Sequence, residues 1–177
     1  MIKSKKVLTK EEIVYLTNMY DSMPKKFYDR NFNLFNVFKS NLFDVSKTSF
    51  GENERKQFNT IQRKLLAFHG SHAPWGPVTN YFLTYQKDSY AKIHQDNPDT
   101  VLGTAITLIE RSDDLVGGDI IVSKGLDGKQ RTIPQQVGET VYYSPATFHG
   151  VTKVTEGYRK VLVTWFRISG WVQKWQS

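Results

Sequence analysis

The sequence predicts a mainly β fold with helices in its N-terminal part, and three observations carry that expectation. Two helical patterns lie ahead of residue 70 and none follows. From Val78 onward, short segments rich in Val, Ile, Thr, Tyr and Phe (78–85, 101–109, 118–123, 139–143 and 158–166) alternate with turn residues. Asp127-Gly128 between two of them is a strong hairpin signal. Helices first and many strands afterwards argue for a β-sandwich or barrel covered by helices on one side. With no repeat, low-complexity tract or linker, the 177 residues are expected to form one domain, a helical part over about 1–75 and a β core over about 76–167.

Taken in order, Thr9-Lys10-Glu11-Glu12 reads as a capping box, with Thr9 as N-cap and Glu12 three residues inside. Ile13, Leu16 and Tyr20 then recur at helical spacing, and Pro24 blocks continuation, so a helix is expected over about 10–22. The segment Phe27–Phe50 is ambiguous: Phe32, Phe35, Phe38 and Phe43 fit a helical stripe loosely, while four Asn weaken it. Phe58, Ile61, Leu65 and Phe68 form a clearer stripe, which predicts a second helix over 53–68 with Gly70 as its C-terminal cap.

Composition narrows the function classes. The chain has no Cys, which removes disulfides, thiolate metal sites, iron–sulfur clusters and thiol nucleophiles together. Aromatic residues make up 14%, enough to line a core or groove with rings. The basic N-terminus has no apolar run behind it, and no stretch approaches the ~18 apolar residues of a membrane span, so the expectation is a cytoplasmic protein without membrane association. The net charge of +7 attracts anions in general, but the lysines are scattered rather than gathered in a stripe, which does not favour a nucleic-acid partner.

The chemistry concentrates in Tyr85–Pro98. If His94 and Asp96 share a strand, their side chains point to one face, and Asn97-Pro98 ends that strand at a mouth of the fold. A second imidazole would complete a two-histidine, one-carboxylate site of the kind that holds ferrous iron and leaves coordination positions open. His149, between Pro145 and the strand that follows, is the candidate; His69 and His72 lack a carboxylate at useful spacing. Arg159 heads an alternating row with Val161, Val163 and Trp165, a core-facing row with one cation in it. A buried guanidinium needs an anion: a structural carboxylate, or a bound one held bidentately. Lys160 falls on the opposite face.

The combination of Tyr85, His94-x-Asp96, His149 and Arg159, with Trp165 six residues beyond Arg159, resembles the Fe(II)/2-oxoglutarate-dependent dioxygenases, and among them the prolyl 4-hydroxylase-like group. His94-Gln95-Asp96-Asn97-Pro98 is similar to the metal-binding stretch of the hypoxia-sensing prolyl hydroxylases, and Gly117-Gly118-Asp119 to a glycine turn of the same group. The resemblance covers about residues 78–167. It implies a double-stranded β-helix, or jelly roll, with iron ligated by His94, Asp96 and His149. It further implies that Arg159 binds the distal carboxylate of 2-oxoglutarate, that Tyr85 donates a hydrogen bond to it, and that dioxygen is consumed, with ascorbate as a further candidate cofactor. In one place the chain departs from the pattern. Where the hypoxia-sensing enzymes carry a second cosubstrate-binding Tyr there is Thr107-Leu108, so that bond is absent or made by Thr104 or Thr107.

The expected activity is therefore hydroxylation, on a prolyl residue of a protein or peptide, with release of succinate and carbon dioxide. Two alternatives stand beside it. One keeps the cofactors and takes a nucleic-acid base or free amino acid as substrate; the other is a non-catalytic jelly-roll module that only binds metal. Trp165, Tyr143 and Phe148 are candidates to line the site, and segments 27–50 and 69–79, including Trp75, to face the substrate.

Overall fold

In the computed structural model, residues 2–42, 51–70 and 78–168 are described. The chain runs β1 (Ile2–Lys6), α1 (Lys10–Ser22), β2 (Lys26–Asn31), β3 (Leu34–Asn41), α2 (Glu52–His69), β4 (Val78–His94), β5 (Val101–Arg111), β6 (Ile120–Ser123), β7 (Gln130–Ile133), β8 (Glu139–Tyr143), β9 (Phe148–Val151) and β10 (Arg159–Arg167). Hydrogen bonding links the strands in the order β1-β8-β5-β10-β4-β9-β6-β7, and the β2–β3 hairpin joins through β3 to β4. Every pairing is antiparallel.

The helices start and stop where their caps dictate. Thr9 Oγ1 accepts from Glu12 N while the Glu12 carboxylate accepts from Thr9 N at 2.8 Å, the reciprocal capping box. Gly70 ends α2 in the left-handed region at φ 91°, a conformation that costs glycine nothing. Ile13, Leu16, Met19 and Tyr20 of α1 and Ile61, Leu65 and Leu66 of α2 pack on Phe82, Ala105, Ile109, Tyr142, Leu162 and Phe166. This is the outer face of the sheet. Leu162 is fully buried there, and its truncation to Ala would cost about 2–5 kcal/mol.

Pleating sends the alternate residues the other way. Tyr81, Leu83 and Tyr85 of β4, Ile106 and Leu108 of β5, Val141 and Tyr143 of β8, and Val161 and Val163 of β10 face an inner core, which Ile120, Val122 and Val151 close from the opposite side. The sheet can fold over itself because β4 bends. Its first part pairs with β10 from Val78 to Tyr85, whereas Ala91 and His94 pair with β9. At the bend Asp88 has φ 71° and the facing Asn36 of β3 has φ 55°; Asp and Asn tolerate this region better than other side chains. Asn36 Nδ2 donates to Asp88 O, and the fully buried Ser89 hydroxyl donates to Asn36 O, so the two irregularities hold each other.

Segment 27–50 thus corrects the loose helical pattern. Its described residues form the β2–β3 hairpin, in which Phe27 opposes Phe38 and Arg30 opposes Phe35. The aromatic spacing reflects ring pairs between neighbouring strands, Phe27 with Phe38 across the hairpin and Phe35 stacked on Tyr90 of β4, rather than one helical stripe. Residues 43–50 lie outside the described part, as do His72, Trp75 and most of segment 69–79.

Candidate metal centre

His94 is the last residue of β4, and its Cα partner across the antiparallel ladder is His149 of β9. That register alone brings two histidines from distant parts of the chain together, with ring centroids 4.3 Å apart. Asp96 follows two residues later. The expectation that it shares a strand with His94 is corrected: β4 stops at His94, and Asp96 sits in the loop beyond. Pro98 cannot donate to a ladder. Asn97 instead makes a turn, its carbonyl accepting from Thr100 N and Val101 N and its side chain from Asp99 N. Asp96 is aimed by the Thr104 hydroxyl of β5, which donates to Asp96 Oδ2.

The donor atoms converge. Asp96 Oδ1 lies 4.0 Å from His94 Nε2 and 3.9 Å from His149 Nε2, too far for hydrogen bonds, and one ligand atom from each of the three residues falls within 4.8 Å of the others. Each imidazole is turned by its own chain. Lys92 O takes the Nδ1 hydrogen of His94 at 2.7 Å, and Thr147 O takes that of His149 at 2.9 Å. A backbone carbonyl accepts only, so each Nδ1 carries a proton, and Nε2 is the nitrogen on the Asp96 side. Burial pushes His149 down to about 4, with His94 adding to that and Asp96 opposing it, so this ring is neutral at physiological pH. Two imidazoles turned with Nε2 inward and one oriented carboxylate suit a divalent first-row cation.

A cavity of about 430 Å³ opens from these three residues along the inner core, within the usual range for small-molecule sites. Tyr81, Tyr143 and Trp165 line it; Phe148 does not. Tyr85 lines it too, and its Cα partner is Arg159, which is not itself among the lining residues. Arg159 is 3% exposed, and among the described residues no carboxylate lies within 4.0 Å of it. Its Nη2 donates to Gln135 Oε1 at 2.6 Å, its Nη1 to Gly118 O, and among the described residues its Nε has no partner. Burial pushes its pKa down to about 10, with Tyr85 and Asp119 opposing, so it stays charged near neutrality. Burial raises the Tyr85 hydroxyl above its ordinary value, and it therefore remains a donor. The Asp119 carboxylate favours the Arg159 cation, but among the described residues it makes no ion pair with it, so a structural carboxylate compensates this arginine only in part. Lys160, by contrast, meets Asp21 at 2.8 Å and Glu110 at 3.0 Å on the outer face.

Thr107 does not join this group. It lies on the outward face of β5 with Ala105 and Ile109, fully buried, and shares a hydrogen bond of 2.8 Å with Thr140 of β8. The even-numbered positions, Thr104, Ile106 and Leu108, face the cavity side. One step along the strand reverses the face, and that removes Thr107 from reach. His69 is also apart, stacked on Phe166 at 4.5 Å. Sequence reasoning missed Gln135 and the orienting role of Thr104. Only the cross-strand register, in which Thr104 neighbours Tyr143 and Trp165, locates the latter.

No family model matches the sequence, and no curated protein matches it either. Solved structures do. The chain has the fold of the 2-oxoglutarate–Fe(II) oxygenases, a curled antiparallel jelly roll of the prolyl 4-hydroxylase-like kind. A prolyl-4-hydroxylase of Pseudomonas putida superimposes with a TM-score of 0.70 over 96% of this chain and 93% of its own, at 15% identity. A 2OG-Fe(II) oxygenase family oxidoreductase of Burkholderia pseudomallei gives 0.73 over 94% and 84%, at 14% identity. HygX of Streptomyces hygroscopicus, solved with nickel and 2-oxoglutarate, gives 0.70 over 99% and 85%, at 12% identity.

Proposed function

We propose that this protein is an Fe(II)- and 2-oxoglutarate-dependent hydroxylase. The observation that carries the reading is the pairing of two sites along one cavity. His94, Asp96 and His149 present three converging donor atoms to a cavity that Tyr85 also lines, and the buried Arg159, whose guanidinium donates to Gln135 and Gly118 O, is the cross-strand neighbour of Tyr85. Of the structures that share the fold, HygX was captured with a divalent metal and 2-oxoglutarate together.

His94, Asp96 and His149 would hold the iron, and with dioxygen and 2-oxoglutarate it would supply the oxidising power, yielding succinate and carbon dioxide. The chain's own residues do the rest. Thr104 holds Asp96 with one oxygen turned toward the histidines, and Lys92 O and Thr147 O fix both rings in the ligating tautomer. Arg159 offers its guanidinium to the distal carboxylate of the cosubstrate, and the Tyr85 hydroxyl donates beside it. Tyr143, Ile106, Val163 and Trp165 line the cavity with apolar surface that keeps water from the reacting atoms.

The substrate we propose is a prolyl residue in a protein or peptide. It is supported by the run His94–Pro98 and by the likeness to the Pseudomonas putida enzyme. HygX, which shares the fold equally well, was also solved with hygromycin B, so a small-molecule substrate is the second reading. The experiment is aerobic incubation with Fe(II), 2-oxoglutarate and a library of proline-containing peptides, read by mass spectrometry. One added oxygen per succinate formed supports the prolyl reading. Succinate formed without any oxidised peptide refutes it and leaves the hydroxylase reading standing.

A further inference from the structure

The cavity beside the three candidate metal ligands is lined by a cation, Lys39, to which neither the metal nor the cosubstrate reading gives a role. Lys39 of β3 is the Cα partner of Leu83, so it points with Leu83 into the inner side of the fold. Its ammonium lies 4.4 Å from the centre of the Tyr81 ring, and Tyr81 packs edge-on against Trp165 at 5.4 Å. All three line the same cavity as His94, Asp96 and His149. Among the described residues the only polar contact of Lys39 is a long one, 3.4 Å to Asn31 Oδ1, and no carboxylate lies within 4.0 Å. Burial pushes its pKa down. A half-buried ammonium balanced by a ring face and one weak acceptor is incompletely compensated.

Its position separates it from Arg159. Arg159 is the cross-strand neighbour of Tyr85 and does not itself line the cavity, whereas Lys39 does, its ammonium reaching Asn31 at the tip of the β2–β3 hairpin, where Phe32 and Asn33 also line it. Phe32 is 86% exposed there and held at φ 54°, an apolar ring offered to solvent where an incoming molecule would pass. Resting on the hydroxylase reading, we infer that Lys39 is a specificity-determining residue. It binds an anionic group of the substrate, a carboxylate or a phosphate, and so sets which carbon is presented to the metal.

The test uses full-length protein loaded anaerobically with Co(II) and 2-oxoglutarate, whose visible spectrum reports ligands entering the cavity. Two matched pairs of probes distinguish the source of the anion: N-acetyl-L-proline against N-acetyl-L-prolinamide, and thymidine 5′-monophosphate against thymidine. The wild type should bind one anionic member at least about tenfold more tightly than its neutral partner, the scale of one charge-assisted contact. Lys39→Met should abolish that preference, Lys39→Arg should keep most of it, and 2-oxoglutarate affinity should stay within about threefold in both. The inference is overturned if the wild type shows no preference or binds neither anion, if Lys39→Met retains the preference, or if its loss only follows a loss of 2-oxoglutarate binding. Absence of any 2-oxoglutarate-dependent spectral change in the wild type would instead refute the underlying hydroxylase reading.

Discussion

Replacing Thr104 by Val isolates what holds the metal carboxylate in place. The side chains match in size, Val is at home in a central strand, and Thr104 is 1% exposed on β5, so the fold should accept the change. What is lost is one hydroxyl donor to Asp96 Oδ2. A hydrogen bond to a charged group is worth about 1.5–3 kcal/mol, which converts to roughly a 10- to 150-fold loss in affinity for any divalent cation that needs Asp96 in this orientation. That range agrees with the 10- to 100-fold penalty usual for removing a group that orients a metal ligand. Calorimetric titration with Co(II) or Ni(II) at neutral pH measures it, with thermal unfolding of the metal-free protein as the control. A Thr104→Val variant that binds metal within threefold of wild type would refute the reasoning. So would one whose metal-free melting temperature falls in step with its affinity.

Three further outcomes follow from the same geometry. Arg159→Met should leave metal binding intact but weaken 2-oxoglutarate by about two charge-assisted contacts, on the order of 100-fold or more, in a titration of the metal-loaded protein. Gly118→Ala should weaken 2-oxoglutarate too. Gly118 sits at φ 73°, and an added Cβ would come 3.0 Å from Arg159 Cδ and from Val154, displacing the guanidinium; equal cosubstrate affinity in the variant would contradict this. A saturating divalent cation should raise the melting temperature, by the equivalent of about 2.7 kcal/mol at a hundredfold excess over Kd, and a chelator should reverse it in wild type but have nothing to reverse in Asp96→Ala.

The sequence exposed the chemistry of the site better than its geometry. His94, Asp96 and His149 stood out because a polar pair before Asn97-Pro98 and a histidine after a strand are local features. The helices were legible because Thr9, Glu12 and Gly70 are local caps. What was hidden depends on register. Thr104 and Thr107 are the same residue type three apart on one strand, and only the pleat decides that the first meets Asp96 while the second meets Thr140. The β2–β3 hairpin was obscured because its aromatic residues satisfy one another across strands, which a linear periodicity cannot display. Lys39 and Gln135 carry no motif; their positions follow from pairing with β4 and from a loop folded back under Arg159.

On the proposed function one cavity holds a divalent iron and a 2-oxo acid together, and anaerobic titration tests this most directly. Fe(II) and 2-oxoglutarate added to the protein without oxygen should produce a weak visible charge-transfer band that needs both components and disappears in Asp96→Ala. A wild-type protein that shows no such band, or a band that Asp96→Ala leaves unchanged, would contradict the account.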